Sequence, residues 1–151
     1  MKKVLLILAC GIATQLSYAQ ATPKWADKAK KAVFSIVTYD KDNKIKNTGN
    51  GFYINEKGTA LSDYTLFEGA ERAVIINADS EELPVLRILG ANSMYDIVKF
   101  NTEADKKTIA LKSASQPASV GETVYLLPYS TQKAATCQTG TVTKVDTMGD
   151  K

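Results

Sequence analysis

The sequence predicts an all-β fold of antiparallel strands, a barrel or a sandwich, and three observations carry that prediction. From about residue 32 onward, apolar residues recur with a period of two, in runs rich in β-branched and aromatic side chains. Clusters of Asp, Asn, Ser, Lys and Gly interrupt these runs at short, regular intervals, as turn chemistry requires. Only one segment, near residue 25, has helical spacing. The length of 151 residues is that of about one domain, and no internal repeat or low-complexity tract is visible.

The first 19 residues read as a leader rather than as a piece of this fold. Met1-Lys2-Lys3 is a short basic start, residues 4–13 are mostly apolar, and Ser17-Tyr18-Ala19 offers small residues at the two positions a signal peptidase reads. The apolar run is too short to span a bilayer, which takes about 20 residues. Cleavage after Ala19 gives a periplasmic or secreted chain. A second reading of the same segment takes Ile7-Leu8-Ala9-Cys10 as a lipoprotein box with Cys10 acylated and the protein anchored to a membrane. It ranks second because only six apolar residues precede Cys10.

Thr22 and Pro23 suit the cap and first turn of a short helix over residues 20–31, with Trp25, Ala29 and Val33 on its packed face and Trp25 as a core anchor. The expected strands then follow at 32–39, 45–54, 59–62, 73–77, 85–89 and 97–100. Polar turns at 40–44, 55–58 and 78–81 separate the first of them, and Gly58 supplies a left-handed turn position. Pro117, Ser119 and Gly121 mark a break, after which 124–127 and 139–145 read as two further strands.

Charge and cysteine content exclude several functions. Of the 19 basic residues, Lys2 and Lys3 fall in the leader, which leaves 17 against 16 acidic ones and a near-neutral mature chain. The lysines are scattered rather than gathered on one face, so nucleic acid is not an expected partner. Cys137 is the only cysteine after the leader, so no internal disulfide forms. No Cys/His cluster, calcium loop or phosphate-binding glycine loop appears, and no metal or cofactor is expected.

Three local patterns are more specific. They are Thr48-Gly49-Asn50-Gly51-Phe52; then Ala60-Leu61-Ser62-Asp63-Tyr64-Thr65-Leu66-Phe67-Glu68-Gly69-Ala70; then residues 90–100 with Tyr95-Asp96-Ile97-Val98. Val120-Gly121-Glu122-Thr123-Val124-Tyr125 follows. In order and spacing, residues 32–130 resemble the HtrA-type trypsin-like serine peptidases. The first pattern is similar to that family's glycine-serine-glycine-phenylalanine strand start. The second is similar to its leucine-threonine-asparagine-asparagine-histidine-valine-valine-glutamate-glycine-alanine segment, and the third to the segment that carries its aspartate.

The resemblance implies a chymotrypsin/trypsin-like double β-barrel, with a first barrel at 32–116 and an incomplete second barrel at 117–151. An open second barrel implies a fragment of a longer protein, of the kind that continues into a further binding module. By the same resemblance, Asp96 falls at the triad aspartate and Thr65 falls where the family has histidine. The family's serine would lie beyond residue 151.

The chain contains no histidine at all. In a Ser-His-Asp triad the imidazole takes the serine's proton and later returns it, and no other side chain does this readily near neutral pH. A threonine hydroxyl is no base at that pH. Asp96 without an imidazole is expected to serve as a turn carboxylate that accepts backbone N–H bonds. A Ser-Lys dyad has no pair to single out, and Cys137 has no histidine partner that would make it a nucleophile. Thr65 and Asp96 are therefore vestigial triad positions, and the sequence singles out no binding residues.

The expected function is that of an exported pseudoprotease, which binds an extended peptide or unfolded segment or orients a downstream module. The alternative is a serine endopeptidase with an unusual base and a nucleophile beyond residue 151.

Overall fold

The computed structural model describes residues 23–103, 108–127 and 137–146. The leader expected at 1–19, Cys10 and the Thr22 cap lie outside the described residues. Among the described residues, no helix is long and apolar enough to cross a membrane.

Helix α1 (Ala26–Lys30) begins after Trp25, which holds the N-cap position without a side-chain capping bond. Pro23 precedes the helix instead of opening its first turn, and its carbonyl accepts the Ala26 N–H at 2.9 Å. Ala26 and Ala32 are fully buried, whereas Trp25 is 50% exposed. This corrects the expectation that Trp25 anchors the core. A five-residue helix has too little length to present a face, and the chain turns into the barrel before Trp25 can reach it. The Trp25 ring meets Tyr125 edge-on instead, with centroids 5.1 Å apart.

Six strands close the barrel: β1 (Val33–Tyr39), β2 (Ile45–Tyr53), β3 (Thr59–Ser62), β4 (Arg72–Ile76), β5 (Glu82–Asn92) and β6 (Ile97–Thr102). They run antiparallel in the order β1-β2-β3-β6-β5-β4, and β1 pairs with both β2 and β4 to complete the ring. Side chains of alternating residues point inward. Phe34, Ile36, Ala60, Ile75 and Phe100 are fully buried and Val98 nearly so, with Tyr53 beside them. Phe34 makes edge contacts with Tyr53 at 4.8 Å and with Phe100 at 6.3 Å. Each such side chain removed from water contributes about 1.5–3 kcal/mol.

Asx turns bend the chain where the sequence places them. The Asp40 carboxylate accepts the N–H groups of Asp42 and Lys44, Asn55 accepts those of Lys57 and Thr59, and Asn77 accepts those of Asp79 and Glu81. Gly58 has φ +80°, the left-handed position expected of it.

Two elements of the barrel region differ most from the sequence reading. Strand β5 runs from Glu82 to Asn92 rather than over 85–89. Pro84 does not shorten it, because Pro84 lies one residue before the pairing with β6 begins at Val85↔Thr102. Its register also slips between Val85/Arg87 and between Ile88/Gly90, which blurs the period of two. Helix α2 (Tyr64–Phe67), between β3 and β4, is not among the expected elements. A single turn is too short to show a helical period.

After the barrel, β7 (Thr123–Leu126) and β8 (Gln138–Thr141) form a separate two-stranded sheet. Strand β8 ends at 141 rather than 145, although the Gly121 N–H bonds to the Val142 carbonyl and the Val142 N–H bonds to the Glu122 carbonyl just past the ladder. Gly121 has φ +89° there, within the turn that joins Ser119 to Glu122.

Strand directions fix the two ends of the barrel. Strands β1, β3 and β5 run toward one end, where the 40–44 turn, the 63–71 connection and the 93–96 turn gather. The opposite end gathers the lead-in from α1, the 54–58 and 77–81 turns, and the segment that leaves β6.

Candidate functional site

Thr65 and Asp96 meet at the first of these ends. The Thr65 backbone N–H donates to Asp96 Oδ1 at 2.7 Å, and the Thr65 hydroxyl donates to Asp96 Oδ2 at 3.1 Å. The Asp96 carbonyl accepts the Tyr64 N–H at 3.1 Å. A residue on the turn before β6 thus satisfies the first donors of α2. Asp63, at the N-cap of that helix, makes no side-chain capping bond of its own. Asp96 acts as a cap supplied from 31 residues away.

The local backbone explains how Asp96 reaches so far. It has φ +51°, a left-handed conformation that Asp tolerates better than most residues, and this turns its carboxylate toward α2. Its own turn is closed by a different residue, since Asn92 Oδ1 accepts the Tyr95 N–H at 3.1 Å. Asp96 is thus a turn carboxylate that accepts a backbone N–H, as expected of it, and the donor is the helix opposite.

Asn47, which the sequence reading did not single out, and Gly49, which it did, hold α2 from below. The Asn47 side-chain amide donates to the Leu66 carbonyl at 3.1 Å and to the Thr65 carbonyl at 3.4 Å. Asn47 is itself fixed to β1, because its N–H donates to Thr38 Oγ1 at 3.1 Å and its carbonyl accepts from that hydroxyl at 3.3 Å. Gly49 lies directly under Leu66, and a Cβ there would collide with the Leu66 methyl groups. Gly51 has the same role a layer deeper, where a Cβ would stand 2.6 Å from the Phe34 ring and 2.8 Å from the Leu61 carbonyl. The Thr48-Gly49-Asn50-Gly51-Phe52 pattern held this signal, since two glycines in one strand mark close approach.

The pair has limited chemistry. A carboxylate that accepts one amide and one hydroxyl orients that hydroxyl and polarises it slightly. It cannot make threonine a proton acceptor near neutral pH, and the site contains no imidazole. Thr65 is exposed and Asp96 half-buried, so water reaches both.

A concavity of about 590 Å³ opens at the opposite end of the barrel, away from Thr65 and Asp96, lined by Lys31, Tyr53, Asn77, Glu81, Leu83 and Ile109 among others. Burial pushes the Tyr53 phenol above its ordinary pKa, and a hydrogen bond with Thr102 pulls it partly back. Among the described residues, no group of three or more His, Cys, Asp or Glu could hold a metal ion. Cys137 is partly buried just before β8, and its thiol is directed at the Gln138 carbonyl at 3.9 Å.

No family model matches this sequence, and no curated protein does. The fold does have a solved counterpart. The chain is similar to the crystal structure of the serine endoprotease from Yersinia pestis, with a TM-score of 0.65 and 17% sequence identity. The match covers 81% of this chain and 45% of that one, so this chain spans less than half the length of the solved structure. At that identity the likeness establishes the fold: a mostly-β chain with a closed six-stranded barrel of the trypsin-like serine protease class.

Proposed function

We propose that this chain is an exported, non-catalytic domain of trypsin-like fold, a pseudoprotease of HtrA type. One observation carries the reading: the Thr65 hydroxyl pairs with Asp96, and these are the two positions that the resemblance sets at the family's histidine and aspartate. The Thr65 side chain donates to the Asp96 carboxylate at 3.1 Å, as a triad imidazole would, in a chain without any histidine. The carboxylate that would orient the base now caps α2. In this reading residues 1–19 are removed on export, 20–31 lead in, 32–116 make the first barrel, and 117–151 with β7 and β8 begin the second.

The domain's task is then to hold an extended peptide or unfolded segment, or to orient a further module. Strand addition needs a free edge. Among the described residues, β7 and β8 have one neighbour each, and so do the outer halves of two barrel strands: β2 pairs with β3 only over residues 51–53, and β5 pairs with β4 only over residues 82–84. An added strand would pair at one of these open edges.

The test is an assay of the protein with unfolded casein. No cleavage is expected, no labelling by a serine-reactive phosphonate, and saturable binding of fluorescent casein. Cleavage that Thr65→Ala abolishes would sink the reading. The other reading, a serine endopeptidase with an unusual base, draws on the likeness to a serine endoprotease and on the retained pairing of Thr65 with Asp96. The wild-type protein separates the two, because an endopeptidase with an unusual base would cleave casein and take up the phosphonate, and a pseudoprotease would do neither.

A further inference from the structure

We draw no further inference here: the strongest candidate, the exposed apolar surface that Leu86, Ile88, Leu89, Met94, Tyr95 and Ile97 form along the outer half of the β5–β6 hairpin, carries nothing because nothing in the structure shows what covers it.

Discussion

The barrel and the β7–β8 sheet are written in the same alphabet and reach opposite ends. Phe34, Ile36, Ile75 and Phe100 are fully buried, whereas Val124, Tyr125 and Leu126 are 41%, 40% and 62% exposed. Strand β7 carries the same β-branched and aromatic residue types as the barrel strands. The two regions differ in closure. In the barrel each strand has two neighbours and the inward faces share one interior, while the sheet of β7 and β8 has, among the described residues, two open edges and no second layer. A strand pattern thus announces strands, and the number of partners decides whether their apolar residues become a core.

The largest effect should come from the core. Phe100→Ala removes a ring that touches Phe34 and Phe67, at centroid distances of 6.3 and 5.2 Å. It should cost about 3–5 kcal/mol in urea denaturation, enough to threaten folding. The same kind of truncation in β7, Leu126→Ala, should stay within about 0.5 kcal/mol. A cost at Leu126 that approaches the one at Phe100 would mean that β7 shares the barrel core, and the contrast would fail.

Next in size is the clamp on α2. Asp96→Ala removes the cap on Thr65 and leaves a residue at φ +51° that alanine tolerates poorly. A loss of about 1–2 kcal/mol is expected, with faster hydrogen exchange at the Thr65 amide. Asp96→Asn keeps an acceptor and suits the left-handed backbone, so it should lose less than Asp96→Ala. Equal losses from the two substitutions would show that the carboxylate's charge matters more than its geometry.

How far the sequence foretold this depends on the range of the signal. The six strands, the polar turns between them and Gly58 were legible because each rests on a few adjacent residues whose chemistry decides the outcome. The Thr65–Asp96 pair was legible as two positions only through the family resemblance, and their bond spans 31 residues. Asn47 stayed hidden because nothing local tells that an exposed-looking strand residue will hold the carbonyls of a later helix. Trp25 misled for a related reason, since a large aromatic near a short helix predicts burial somewhere but does not name its partner. The length of β5 was obscured by its two register shifts, which break the alternation on which a sequence reading depends.

A smaller effect should appear only in alkali, and only in the barrel. The folded state holds the Tyr53 phenol protonated beyond its ordinary pKa, chiefly through burial. The unfolded chain ionises first, at about pH 10, so this stabilisation is complete below that value and is lost as pH rises toward the higher folded pKa. Tyr53→Phe should therefore flatten the fall in urea midpoint as the pH rises above about 10. If the fall is as steep in the variant, the phenol is not the group responsible.

The smallest effect tests the ring contact that joins the two regions. Trp25 is the only tryptophan, so its fluorescence reports the Trp25–Tyr125 edge contact at 5.1 Å without interference. Such a pair is worth about 0.5–1.5 kcal/mol beyond its buried area. That energy holds β7 against the segment leading into β1 and adds nothing to the barrel interior, from which Trp25 is excluded by its 50% exposure. Tyr125→Ala should accordingly shift the Trp25 emission to the red while the barrel's unfolding midpoint, read by far-ultraviolet circular dichroism, stays where it was. A midpoint that falls together with the emission shift would place β7 and β8 within the barrel's cooperative unit. The barrel's closure would then no longer be sufficient for its stability, and the exposed ribbon would have to be counted as a seventh and eighth strand of one fold.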